Sequence, residues 1–96
     1  MVKHYYYEDQ ARLFKALAHP VRLQILHILA NESGCVCDLV QQTGCRQPYV
    51  SQQLIVLREA GLVVARREGL NVRYCLAFPD LLVSVLSAGE ALLRAV

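Results

Sequence analysis

A mostly α-helical chain carrying one β-hairpin is the fold class this sequence predicts, and three observations predict it. Apolar residues recur at a period of about 3.6, cut into segments by Gly and Pro, from Tyr5 to Gly61. The period falls to two in LVVARR and NVRYCL, on either side of Glu68-Gly69-Leu70. It returns to the helical value from Asp80 to Val96. At 96 residues the chain is too short for two independent cores, so residues 1–96 read as one domain. A hydrophobic content of 55% is more than so small a monomer can bury, which makes a homodimer the first expectation.

The elements follow in order. Tyr7, Leu13, Phe14, Leu17 and Ala18 share one face of a first helix spanning Tyr5 to Ala18. His19-Pro20 interrupts it. Proline fits the first turn of a helix, so Pro20 opens a second one with Val21, Ile25, Ile28 and Leu29 inward, stopped by Asn31, Ser33 and Gly34. Val36, Leu39, Val40 and Thr43 mark a short third helix, and Gly44 stands where a left-handed C-terminal cap belongs. Pro48 starts the fourth, with Val50, Leu54 and Leu57 inward and Gly61 at its close. Helix, tight turn and helix make a helix-turn-helix, and the hairpin that follows is a wing with arginines near its tip. In the last helix the polar residues Asp80, Ser84, Ser87, Glu90 and Arg94 form a narrow stripe. Leu82, Val85, Leu86, Leu92 and Leu93 fall outside that stripe and are the expected dimer interface, together with parts of the first helix.

Composition narrows the function classes. The stretch MVKHYYYEDQ has no apolar core of the kind a signal peptide needs, and no apolar run is long enough to span a bilayer, so the expected location is cytoplasmic with no membrane partner. In that compartment four cysteines are thiols, metal ligands or redox sensors before they are structural disulfides. A thiol oxidoreductase would need a thioredoxin-like βαβ setting, which is missing. No enzyme and no organic cofactor are expected. The net charge of +2 permits nucleic-acid binding without demanding it.

The fourth helix supplies that demand. Arg46, Gln47, Tyr49, Ser51, Gln52 and Gln53 are nearly all hydrogen-bonding side chains, as a helix needs in order to meet base edges and phosphates in a major groove. On an isolated helix the same residues would be a solvated face. Between a turn and a basic hairpin they read as a recognition helix for double-stranded DNA. Arg66, Arg67 and Arg73 on the wing would reach phosphates or the minor groove, or else are plain surface charge.

The motifs LFKALAHPVRLQILHIL, CVCDL, PYVSQQLIVLREAGLV and REGLNVRYCL, in this order, resemble the ArsR/SmtB family of bacterial metal-responsive repressors. The resemblance covers nearly the whole chain. It implies a homodimeric winged helix-turn-helix protein of order α1-α2-α3-α4-β1-β2-α5 that holds an operator and leaves it when an inducer binds.

Cys35 and Cys37 are the candidate inducer ligands. On a regular helix they would point about 200° apart, but with Cys35 at the non-helical flank and Cys37 in the first turn both sulfurs can face one point. The positive helix end favours thiolate there, and paired thiolates select soft ions: As(III), Sb(III), Cd(II) or Pb(II) before Mg(II) or Mn(II). The resemblance places both cysteines on the ligand positions of arsenic-responsive and cadmium/lead-responsive members. The arsenic-type pattern continues as CVCDLC, and this chain has Val40 at that sixth position. A third ligand must then be Cys45, Cys75, His4 of the partner subunit or a small external thiol. Cys45 lies about 12 Å beyond Cys37 along a continuous helix. Cys75 reads as a small strand residue.

An N-terminal arm without cysteines places cadmium behind arsenite, and a last helix without histidine rejects the family's zinc site there. His4, His19 and His27 read as surface, helix-cap and core residues. The competing function on the same fold is a thiol-redox or persulfide sensor in which Cys35 or Cys37 pairs with Cys45. A winged-helix interaction domain without DNA is the remaining alternative.

Overall fold

A computed structural model of the chain describes residues 4–96, with side chains from residue 6 onward. Five helices and a two-stranded antiparallel hairpin occur in the predicted order: α1 (His4–Leu17), α2 (Pro20–Asn31), α3 (Val36–Thr43), α4 (Gln47–Glu59), β1 (Val63–Glu68), β2 (Asn71–Leu76) and α5 (Pro79–Ala95).

Local chemistry sets the boundaries. His19 is extended and caps α2, its Nδ1 accepting from the N–H groups of Val21 at 3.1 Å and Arg22 at 3.5 Å. A ring nitrogen that accepts from backbone amides carries no proton, so Nε2 bears it and donates to Tyr49 Oη, 3.0 Å away on α4. Gly44 ends α3 in the left-handed region at φ 73°, with its N–H on the Val40 carbonyl. The hairpin register pairs Glu68 with Asn71, leaving Gly69-Leu70 as a two-residue turn. Gly69 at φ 63° takes the first turn position, where a type II′ turn needs a positive φ.

Helix α2 lies at the centre, packed against α1, α3, α4, α5 and β2. Its Ile25, Leu26 and Leu29 meet Leu39 of α3, Val50, Leu54 and Leu57 of α4, Val63 and Leu76 of the hairpin, and Leu82 and Leu86 of α5. Each such side chain contributes about 1.5–3 kcal/mol of transfer free energy.

Leu82 and Leu86 therefore correct the expected interface, being only 5% and 8% exposed within their own chain. The apolar circumference of α5 is wide enough to serve two purposes. One stripe seals the core, while Leu92 and Leu93 stay 67% and 77% exposed beside Leu81 and Val85. His27 is likewise not a core residue. It lies exposed on α2, hydrogen-bonded to the Leu23 carbonyl and 3.3 Å from the Glu90 carboxylate of α5.

Arg22 joins three elements. Its Nε donates to the Ala16 carbonyl at 2.7 Å and Nη2 to the Lys15 carbonyl at 3.2 Å, capping the C-terminal end of α1. Nη1 donates to Gln53 Oε1 of α4 at 2.8 Å. Replacing Arg22 by Met leaves the buried Gln53 oxygen unpaired, and an equilibrium urea titration should show a loss of about 3 kcal/mol. Adding Gln53→Met should recover part of that loss. A wild-type midpoint for Arg22→Met would show that this guanidinium does not hold the helices.

Candidate thiol and nucleic-acid sites

The thiol site is built by the start of α3. Cys35 is its N-cap, extended at φ −87° and ψ 171°, and Cys37 lies in the first turn. Their Cα atoms are 5.4 Å apart and their sulfurs lie in disulfide contact. The convergence expected at a helix flank is thus the geometry found, with Cys35 half-buried and Cys37 exposed.

Asp38 joins them. One of its carboxylate oxygens and the two sulfurs all lie within 4.8 Å of one another, and among the described residues no other trio of His, Cys, Asp and Glu comes together in this way. The same carboxylate accepts the Cys35 N–H at 3.1 Å, so it also closes the helix start. Reduced, this set offers two soft sulfurs and one oxygen donor, which suits a thiophilic ion. Asp38 has no role among the expectations drawn from the sequence, although the spacing Cys35-x-x-Asp38, that of a capping box, could have pointed to it.

Other candidates stand apart. Cys45 lies at the opposite end of α3, half-buried against the core, its N–H on Thr43 Oγ1 at 3.2 Å. The length of α3 separates it from Cys35, and most of that length from Cys37, and these two are paired with each other and not with it. Cys75 sits in β2 opposite Val64. The side chain of His4 falls outside the described residues.

Arg46, Gln47, Tyr49 and Gln52 are exposed along the N-terminal half of α4, with Ser51 half-buried beside them. Gln53 does not belong to this outward set. At 6% exposure it faces the core and receives Arg22. Arg66 and Arg67 are exposed on β1. Arg73 is half-buried and turned back toward the body of the domain: Nη2 donates to the Ser33 carbonyl at 2.7 Å and Nε to Ser33 Oγ at 3.3 Å, with Glu68 3.9 Å away. Its expected place among the wing contacts is corrected on that ground. No described helix is long and apolar enough to cross a membrane.

Residues 19–64 match the family described as "Bacterial regulatory protein, arsR family". An uncharacterized HTH-type transcriptional regulator of Mycobacterium tuberculosis is 40% identical over 89 residues, covering 92% of this chain and 78% of that protein. The crystal structure of the M. tuberculosis regulator superposes with a TM-score of 0.86 at 37% identity, covering 98% of this chain and 93% of the other. The homodimeric winged helix-turn-helix DNA-binding domain of a possible ArsR-family regulator from Mycobacterium bovis superposes at 0.82 with 34% identity, covering 95% and 87%. A protein of Streptomyces lividans named "Probable mercury resistance operon repressor" is 38% identical over 72 residues, 75% of this chain and 58% of that one.

The capping role of Asp38 has a direct test. Asp38→Ala should lower stability by about 1 kcal/mol in urea denaturation, the usual loss for a helix cap, while the thiols still titrate as a pair with a dithiol reagent. An unchanged stability would release the carboxylate from that role.

Proposed function

This chain belongs to the arsR family of bacterial regulatory proteins, whose members are transcriptional regulators and not enzymes, and we propose that it is a homodimeric repressor released from its operator by a thiophilic ion held at Cys35 and Cys37. The observation that carries this reading is the convergence of two sulfurs and a carboxylate within 4.8 Å at a helix start. As(III) and Sb(III) are the leading inducers, with Cd(II) and Pb(II) behind them. Because Cys45 is a helix length away, the third donor is Asp38 or a small external thiol. The mercury-resistance relative supports a thiophilic inducer without choosing among such ions.

Residues 1–96 act as one unit in this proposal. Arg46, Gln47, Tyr49, Ser51 and Gln52 on α4 meet the major groove, and Arg66 and Arg67 supply backbone contacts from the wing. The dimer forms through the exposed stripe of α5, Leu81, Val85, Leu92 and Leu93, with Phe14 of α1. A largely apolar groove of about 750 Å³ between α1, α2 and α5 lies along that stripe and awaits a partner helix. Helix α3 backs α4 through the buried Leu39, so drawing Cys35 and Cys37 onto one ion biases the domain toward a geometry that misfits the operator. Reciprocity requires DNA to weaken ion binding by the same factor.

A second reading rests on the contact between the two sulfurs. Cys35 and Cys37 would oxidise to each other, passing two electrons and two protons to a peroxide that becomes water, and the same helix start would respond to oxidant.

Two experiments test the proposal. Reduced protein titrated with As(III), Cd(II), Pb(II) and Hg(II) should show thiolate absorption together with release of DNA. Cys35→Ser and Cys37→Ser should fold, bind operator within about threefold of wild type and lose that release by at least tenfold. Release of the double serine variant at the wild-type As(III) concentration would place the inducer site elsewhere. For the dimer, Leu93→Glu should give a folded monomer in sedimentation, since an ion at an apolar interface weakens association by about a hundredfold or more. Leu86→Glu should instead fail to fold. A soluble Leu93→Glu dimer of normal affinity would move the interface off α5.

A further inference from the structure

The segment just ahead of the cysteines is fastened to the wing. Gly34 exchanges both backbone hydrogen bonds with Tyr74, its N–H on the Tyr74 carbonyl at 3.0 Å and the Tyr74 N–H on its own carbonyl at 2.7 Å. The pair is an isolated antiparallel bridge on the outer edge of β2. Beside it the Arg73 guanidinium takes the Ser33 carbonyl and hydroxyl at 2.7 and 3.3 Å. Four hydrogen bonds thus tie residues 33–34 to residues 73–74, and Cys35 follows with no intervening residue. Its own N–H is held by Asp38. A change of backbone at Cys35 therefore has no slack loop in which to dissipate.

We infer that Arg73 is a positioning residue that yokes the thiol site to the wing, so that the state of Cys35 and Cys37 is passed to DNA through the hairpin as well as through α3. The inference rests on the reading of Cys35 and Cys37 as the effector site. Geometry makes the wing a sensitive output. Tyr74 lies about 13 Å from the hairpin tip at 3.3 Å per residue, so a tilt of roughly 10° about the Gly34–Tyr74 bridge moves the tip by about 2 Å. Arg67, opposite Val72 and about 7 Å from the bridge, moves by about 1 Å, which takes a phosphate hydrogen bond of about 2.9 Å beyond bonding distance. The fork of Arg73 is what spans a backbone carbonyl and a hydroxyl together, a geometry that lysine does not reproduce.

The test compares full-length wild type, Arg73→Met and Arg73→Lys, all reduced, for operator affinity with and without As(III). Both variants should bind operator within about threefold of wild type with an unchanged salt slope, because Arg73 touches no phosphate. Both should bind As(III) as wild type does by thiolate absorption. The weakening of DNA binding by As(III) should shrink at least tenfold in both. The inference is overturned if Arg73→Met keeps the full As(III) response, or if it loses operator affinity that Arg73→Lys restores, the signature of a phosphate contact.

Failure of the effector reading looks different: As(III) then leaves wild-type operator binding unchanged. The yoke is in that case decided by hydrogen exchange at the Tyr74 amide, before and after Cys35 and Cys37 are oxidised to a disulfide with diamide. A change of about fivefold or more in wild type, absent from Arg73→Met, upholds it, and an unchanged wild-type rate rejects it.

Discussion

A guanidinium drawn partly out of water must find acceptors for its hydrogens, and Arg22 finds them in three places at once: the last turn of α1 through Lys15 and Ala16, and the recognition helix through Gln53. The position of α4 depends on this constraint. Apolar packing of Val50, Leu54 and Leu57 holds α4 against the core, but such packing is non-directional and tolerates small slides along the helix axis. The Arg22–Gln53 hydrogen bond, seconded by His19 to Tyr49 one turn earlier on both helices, removes that freedom. Gln52 owes its outward direction to Gln53 being held inward.

Because α2 carries both of these braces and also contacts α3, α5 and β2, it connects the outer surfaces of the domain. The exposed stripe of α5 and the face of α1 lie to one side, the recognition helix and wing to another, and the thiol site at the start of α3 touches the wing directly through Gly34. A change in any of these surfaces reaches the others through one helix or one strand pair. Few packed elements separate input from output.

The sequence was legible where periodicity decides. Each helix, the hairpin and the Gly44 cap followed from spacing and punctuation, and the flanking position of Cys35 followed from the need for two sulfurs two residues apart to converge. Gln53 shows where side-chain character misled: it stands three residues after Val50, on the inward stripe, yet its polarity suggested an outward role. Periodicity was the better guide. For α5 it had no answer, since a helix apolar on most sides does not say which stripe seals its own core and which awaits a partner, and Leu82 and Leu86 went to the core. Arg73 was illegible for another reason. Its partner Ser33 lies forty residues away, and only the folded chain sets them side by side.

The start of α3 has its backbone secured from outside the cysteines, by Tyr74 on one flank and by the buried Leu39 on the other. The side chains at 35 and 37 are not asked to hold the helix in place. Substitutions at these two positions therefore cost the helix little, and the donor set at the start of α3 can change chemically without displacing α4.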